Sequence, residues 1–127
     1  MKPYLFVYGT LTKSHPRLHQ RLVGAARFLG RGTIAGTLYD LGRYPGAFRD
    51  RKRQSRVTGE LYELEGPDIR RRLRALDRYE GEQFKRARVK VRLRNGEQRL
   101  AWAYLLEGAP PGNARPLPSG VYRPRAA

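Results

Sequence analysis

The chain contains no cysteine. That excludes disulfides, thiolate metal sites and cysteine nucleophiles, and it fits a reducing compartment. Histidine is nearly absent too: the two present, His15 and His19, lie in one segment. No Ser-His-Asp arrangement can be assembled around them. Their spacing of four would suit a metal on a helix face, but no acidic residue or third histidine lies near, so no metal is expected. Neither a Walker loop nor a dinucleotide fingerprint occurs, and no cofactor is expected. No apolar run is long enough to span a bilayer. The apolar run behind the first residues, Tyr4 to Val7, is too short for a signal peptide, and a cytoplasmic protein is expected. Acidic residues are scarce as well, 11 against 27 Lys+Arg, for a formal charge of +16. Such a surface attracts polyanions with a strong salt dependence. Net charge, however, speaks to solubility and nonspecific binding and not to fold, so nucleic acid is expected only as a nonspecific partner, if at all.

What remains is enough for one compact domain over residues 1–127, with a Pro/Gly-rich segment from about residue 108. Tyr4 to Val7 is apolar without a gap and reads as a buried central strand. Arg17 to Val23 follows Ser14-His15-Pro16 and reads as a short helix with Leu18 and Leu22 on one face. Phe28 to Leu41 is rich in β-formers and broken by Gly30, Gly32 and Gly36, the mark of bent or bulged strands. Tyr44-Pro45-Gly46 reads as a turn, and Arg49 to Arg56 as a basic loop. Gly36-Thr37-Leu38-Tyr39-Asp40-Leu41 is echoed by Gly59-Glu60-Leu61-Tyr62-Glu63-Leu64, so two similar strands are expected. A helix is predicted from about Asp68 to Tyr79, with Ile69, Leu73 and Leu76 in one apolar stripe. Ala87, Val89, Val91 and Leu93 alternate with Arg86, Arg88, Lys90, Arg92 and Arg94, which gives a strand with one apolar and one basic face. Asn95-Gly96 then signals a hairpin. A two-residue turn pairs Arg94 with Glu97 and sets Val91 against Leu100, Val89 against Trp102 and Ala87 against Tyr104. In that register the aromatic side chains share the apolar face and do not reach the basic one. Beyond Gly108 the chain is either a strap or a loose tail, with Leu117, Val121 and Tyr122 as tethers. The sum is an α+β domain: a small, partly closed mixed β-barrel with flanking helices.

Two segments carry candidate chemistry. Glu80 continues the helical stripe four residues after Leu76, so its carboxylate points inward if the helix persists that far. A carboxylate held against apolar side chains has a raised pKa and can take and return a proton near neutrality. The alternative is an ion pair with Arg86 or Arg78. Its neighbour Glu82 falls off the stripe and is expected in solvent. The second segment is Tyr8-Gly9-Thr10-Leu11. There the first strand stops at a glycine, and backbone N–H groups can converge on an oxygen atom. The alternative is an ordinary turn.

Taken in order, these segments resemble the γ-glutamylcyclotransferase-like family, including its γ-glutamylamine cyclotransferase (AIG2-like) branch. The resemblance rests on Val7-Tyr8-Gly9-Thr10-Leu11, on Gly36 to Leu41 running into Tyr44-Pro45-Gly46, and on Gly59-Glu60-Leu61-Tyr62. It continues through Leu76-Asp77-Arg78-Tyr79-Glu80-Gly81 and Pro118-Ser119-Gly120. It implies a cofactor-independent enzyme that releases 5-oxoproline from γ-glutamyl amides. Tyr8, Gly9, Thr10 and Leu11 would line the glutamyl end of the substrate, and Glu80 would be the general acid/base. The chain departs from the family in two places. Phe84 stands where a tyrosine is common, and Val121-Tyr122 replaces an acidic-aromatic pair. A different class stays open beside this one: a noncatalytic basic module for RNA or another polyanion.

Overall fold

A short apolar run that is buried on both sides needs a strand on each edge. In the computed structural model, which describes residues 3–9, 23–42, 44–49, 55–108 and 110–121, that run is β1 (Tyr4–Val7). It pairs antiparallel with β5 (Arg56–Leu64) and parallel with β7 (Gln98–Leu106), where Leu5 faces Trp102. The remaining strands are β2 (Ala26–Ala35), β3 (Thr37–Asp40), β4 (Pro45–Phe48), β6 (Phe84–Leu93) and the short β8 (Arg115–Pro116). The order β1-β5-β2-β6-β7 returns to β1 and closes a five-stranded barrel, from which β4, β3 and β8 extend beside β7. One helix, α1 (Ile69–Glu80), lies among the described residues. The architecture is the small α+β barrel read from the sequence. The expected helix at residues 17–23 falls almost wholly outside the described residues, as do Thr10, Leu11, His15, His19, residues 50–54 and Tyr122.

Alternation along the strands sorts apolar side chains into two layers. Phe6, Ile34, Val57, Leu61, Val91 and Leu93 belong to the cluster that fills the barrel. Leu5, Tyr62, Leu64 and Tyr104 pack with Leu73 and Leu76 of α1 in a second cluster outside the wall. The glycine-broken segment forms β2, with a register shift between Phe28 and Gly30, and then β3 after Gly36. Gly59 on β5 lets the backbone of β1 approach closely. A Cβ there would stand 2.3 Å from the Val7 carbonyl oxygen and 2.6 Å from Phe6 Cζ. Gly59→Ala is therefore expected to force β1 off β5 and to cost about 1–3 kcal/mol by overpacking. Urea unfolding checks this: the midpoint falls while the slope is unchanged.

The helix has the predicted stripe. Leu73 and Leu76 are buried and Ile69 packs beside them. Its start is held from outside by Arg72, whose guanidinium donates to the carbonyls of Val23 (2.7 Å), Ala25 (2.5 Å) and Glu65. Its end is set by Gly81 at φ 91°, whose N–H returns to the Asp77 carbonyl at 3.1 Å. Glu80 is thus the last helical residue, at the rim of the barrel.

Two expectations are corrected. Tyr44-Pro45-Gly46 is not the turn. The turn lies before it, where the Leu41 N–H donates to the Tyr44 carbonyl at 3.0 Å, and Pro45 and Gly46 open β4. Gly46 is needed there for contact: a Cβ would sit 2.3 Å from Leu106 Cδ1. The second correction concerns the hairpin. Its loop has three residues, Arg94-Asn95-Gly96. Leu93 donates to the Glu97 carbonyl at 2.8 Å, and Gly96 takes φ 89°. This is a turn closed by a left-handed glycine and not the two-residue turn. The register moves by one, so that Arg88 faces Trp102 and Arg86 faces Tyr104. Ala101, Ala103 and Leu105 now share the barrel interior with Val91 and Leu93. Trp102 and Tyr104 stand on the arginine face.

The segment after Gly108 is a strap as far as Val121. β8 pairs with β3, Leu117 donates to the Leu38 carbonyl at 2.8 Å, and the Gly120 carbonyl accepts from Thr58 at 2.8 Å. No helix among the described residues is long and apolar enough to cross a membrane.

Candidate active site

Where β1 ends, the barrel rim opens into a cavity of about 420 Å³. Phe6, Val7, Tyr8 and Gly9 form one side of it, Tyr44 and Pro45 another, and Tyr79, Glu80, Gln83, Phe84 and Tyr104 the third. The structure thus brings together Glu80, Tyr8 and Gly9, three of the sequence-predicted site residues. Thr10 and Leu11, the other two, lie outside the described residues.

Glu80 is half-buried and has no hydrogen-bond or ion-pair partner among the described residues. Loss of hydration in the cavity raises its carboxyl from 4.5 to about 7. The ion pair weighed against this reading does exist, but a different acid makes it. Asp77, one turn earlier, takes Arg86 at 2.8 Å through Nε and 3.3 Å through Nη2. The Tyr104 hydroxyl donates to the same carboxylate at 2.6 Å. Burial pulls the Asp77 carboxyl upward, yet the Arg86 and Tyr104 hydrogen bonds outweigh it and hold the group below its ordinary value. Arg86, weighed above as a partner for Glu80, is thus bound to Asp77, and desolvation is what raises Glu80. Glu82 is exposed, as its position off the stripe required.

Tyr8 lines the cavity with its ring but spends its hydroxyl on the scaffold. It donates to the Tyr104 carbonyl at 2.5 Å and accepts from the Ala47 N–H at 3.1 Å. Burial, and then the nearby Glu80 carboxylate, push its pKa far above the usual phenol range, against the opposing effect of the Ala47 hydrogen bond. The Tyr104 hydroxyl is likewise raised, by burial first and by its bond to Asp77 next. Both phenols remain protonated at neutral pH. Among the described lining residues, Glu80 is therefore the group that titrates near neutrality.

The mouth is aromatic. Tyr44 packs on Phe84 with ring centroids 5.9 Å apart, and Gln83 Nε2 donates to the Tyr44 hydroxyl. Phe84 occupies a position where the sequence departs from the family it resembles. Its ring lines the cavity but brings no hydroxyl. Sequence reasoning placed Glu80 on the inner side by its position on the stripe, and it lines the cavity. That reasoning missed the roles of Asp77, Arg86 and Tyr104, which depend on the strand register. Asp77 did carry a signal, since it lies four residues after Leu73 on the buried side of the helix.

The arrangement offers one sheltered proton acceptor and a strand end with backbone N–H groups. The cavity is large enough for a small-molecule substrate.

The family model described as "Gamma-glutamyl cyclotransferase, AIG2-like" matches residues 5–124. No curated protein matches the chain. Among solved structures, YkqA from Bacillus subtilis is 24% identical with a TM-score of 0.73. The match covers 96% of this chain but only 40% of that protein's length. An AIG2-like protein from Mus musculus is 24% identical with a TM-score of 0.66, over 99% of this chain and 98% of that one. A structure titled gamma-glutamyl cyclotransferase is 17% identical with a TM-score of 0.65, over 93% and 73% of the two chains. At these identities the likenesses establish the fold.

Proposed function

The chain belongs to the gamma-glutamyl cyclotransferase, AIG2-like family, and from that premise we propose that it releases 5-oxoproline and a free amine or amino acid from a γ-glutamyl amide, with Glu80 as general acid/base. One observation carries this reading above the others. Glu80 is a carboxyl without a hydrogen-bond or ion-pair partner among the described residues, raised to about 7, in a cavity shared with the end of β1.

The substrate holds its own nucleophile. Its α-ammonium must lose a proton before the nitrogen can attack the γ-carbonyl carbon. Glu80 accepts that proton. The new C–N bond closes a five-membered ring, and the carbonyl oxygen takes up the electron pair as an oxyanion. When the intermediate collapses, the original amide C–N bond breaks; Glu80 hands the first proton to the departing nitrogen, then takes the extra proton from the ring nitrogen and passes it on, so that the amine leaves as ammonium and the lactam nitrogen keeps one hydrogen. Atoms balance without water, metal or covalent enzyme intermediate. Backbone N–H groups after Tyr8, at Gly9 and onward in sequence through Thr10 and Leu11, are assigned the oxyanion or the α-carboxylate. The tied hydroxyl of Tyr8 keeps that strand end in place. Ring closure is intramolecular, so a cavity that folds the glutamyl chain contributes much of the acceleration.

The rate should follow the ionisation of Glu80. Below its pKa the acid cannot accept a proton, so kcat/KM is expected to rise nearly tenfold per pH unit and level off above about 7. Initial rates at pH 5 and pH 8 should differ by roughly two orders of magnitude, and a flat profile over that range would remove Glu80 as the base. The reaction itself is tested by a screen of γ-glutamyl dipeptides and γ-glutamyl amines. Equal amounts of 5-oxoproline and free amine are expected, with no water incorporated. Release of glutamate in place of 5-oxoproline would make the enzyme a hydrolase and overturn the proposal.

A further inference from the structure

Gly81 ends α1 and turns the chain, so that Tyr79 and Glu80 on the helix and Gln83 and Phe84 beyond it line the same cavity. The glutamyl end of the substrate is assigned to Tyr8 and Gly9, an assignment that rests on the cyclotransferase reading above. Glu80 must reach both the ring-closing nitrogen and the departing one. The departing substituent therefore lies past Glu80, against the rest of the lining. There the chain supplies three rings and one amide: Tyr44, Tyr79, Phe84 and Gln83. Phe84 is buried and Tyr79 is exposed, so the rings run from the interior to the rim. Tyr44 and Phe84 pack at a tilt of 57°. Both rings also line the cavity, so each keeps surface for a ligand, and a tilted pair accepts a third ring by edge or face. The Gln83 amide donates to the Tyr44 hydroxyl and holds that ring in place. Phe84 has no hydroxyl and adds apolar surface alone.

Charge narrows the class further. Among the described lining residues Glu80 is the one acid, and none is lysine, arginine or histidine. A departing amino acid carries a carboxylate. Beside these rings it would lose hydration without a described cation to pair with, and it would repel ionised Glu80. A departing diamine carries an ammonium group. Its one acidic partner among the described lining residues is Glu80, and that pairing would occupy the base the reaction needs. An uncharged ring meets neither obstacle and gains the aromatic contacts.

We propose that Tyr44, Tyr79 and Phe84 form the leaving-group subsite, and that they select γ-glutamyl amides of arylalkyl amines that carry no further charge. Tyr44 and Phe84 determine specificity by touching the departing group. They take no part in moving the proton. The subsite is built from both sides of the cavity, from Tyr44 ahead of β4 and Phe84 at the start of β6.

Four substrates that share the γ-glutamyl group test this: the 2-phenylethylamide, the n-butylamide, the monoamide of 1,4-diaminobutane, and γ-glutamylphenylalanine. The last differs from the first by one carboxylate. With the full chain, kcat/KM for 5-oxoproline release is expected to be about tenfold higher for the 2-phenylethylamide than for the n-butylamide. It should exceed the values for the diamine and the amino acid by at least about tenfold. Phe84→Leu and Tyr44→Leu each keep an apolar side chain and remove a ring. Each is expected to bring the phenylethyl-to-butyl ratio down to about 2–3. A ratio taken within one variant cancels any general loss of activity, and circular dichroism melts show which variants are folded. The inference is overturned if the parental protein turns over any of the other three substrates as well as the 2-phenylethylamide, whatever the variants do. It is also overturned if the parental ratio survives in a folded variant. These results would leave the cyclotransferase reading standing. No 5-oxoproline from any of the four would bring down that reading and the subsite with it.

Discussion

Glu80→Gln is expected to lower kcat/KM for 5-oxoproline release by about 10²–10⁴-fold, the range that a positioned general acid/base contributes. Glutamine has nearly the same shape as glutamate, so the cavity is preserved. The Asp77–Arg86–Tyr104 network lies on the neighbouring turn and keeps its own charge balance. What the substitution removes is the ability to accept a proton from the substrate ammonium and return it to the leaving amine. The loss should fall mainly on kcat, because the glutamyl end is assigned to the strand end at Tyr8 and Gly9. Glu82→Gln, two residues beyond the helix end and exposed, is expected to leave the rate unchanged. Steady-state assays of 5-oxoproline on both variants make the comparison. A Glu80→Gln enzyme with the parental rate would show that the proton travels elsewhere.

The same substitution should also make the protein more stable at high pH, by about 3 kcal/mol at pH 8. The Glu80 carboxyl titrates near 7 in the folded chain against 4.5 without the fold around it. Between those values the folded state holds a proton that the unfolded state has released. Stability associated with this group is therefore complete below pH 4.5 and is lost as pH rises through 7. Glutamine never ionises, so the variant escapes that loss. Urea unfolding at pH 4.5 and pH 8 should give nearly equal free energies for the two proteins at the lower pH and a gap favouring the variant at the higher. Equal stability at pH 8 would mean that the carboxylate is hydrated or paired, and that the cavity imposes no strain on it. Because this readout needs no substrate, it separates the environment of Glu80 from the identity of the reaction.

Much of this site could be read from the residue order, and the reason is local. An apolar stripe of spacing four and three carries the helix from Ile69 to Leu76, and the same spacing carries it on to Glu80. A gapless apolar run at Tyr4 to Val7 needs partners on both edges, which makes it central whatever its neighbours are. The hairpin was different. Leu100 to Leu106 is apolar at every position, since one side of β7 fills the barrel and the other packs beneath α1. Period-two alternation then gives no clue to register, and Asn95-Gly96 fits both a two-residue and a three-residue loop. That single step decides the rest. It places Arg86 opposite Tyr104, where both reach Asp77, and Trp102 opposite Arg88. The bond from Arg86 to Asp77, and the stacking of Arg86 and Arg88 on Trp102, both follow from pairing across strands that no local pattern specifies. Pro45 and Gly46 were misread for a related reason. A proline-glycine pair favours turns, but here the glycine admits Leu106 from the neighbouring strand.

A carbon-detected NMR titration of the Glu80 side-chain carboxyl, in the folded protein from pH 4 to 9, addresses the shared root of these expectations. A midpoint near 7 is the expected result, with Asp77 titrating below its ordinary value. A midpoint near 4.5, the ordinary value for the group, would contradict the account, because a carboxylate that comfortable in its ionised form is neither sheltered nor suited to pass a proton at neutral pH.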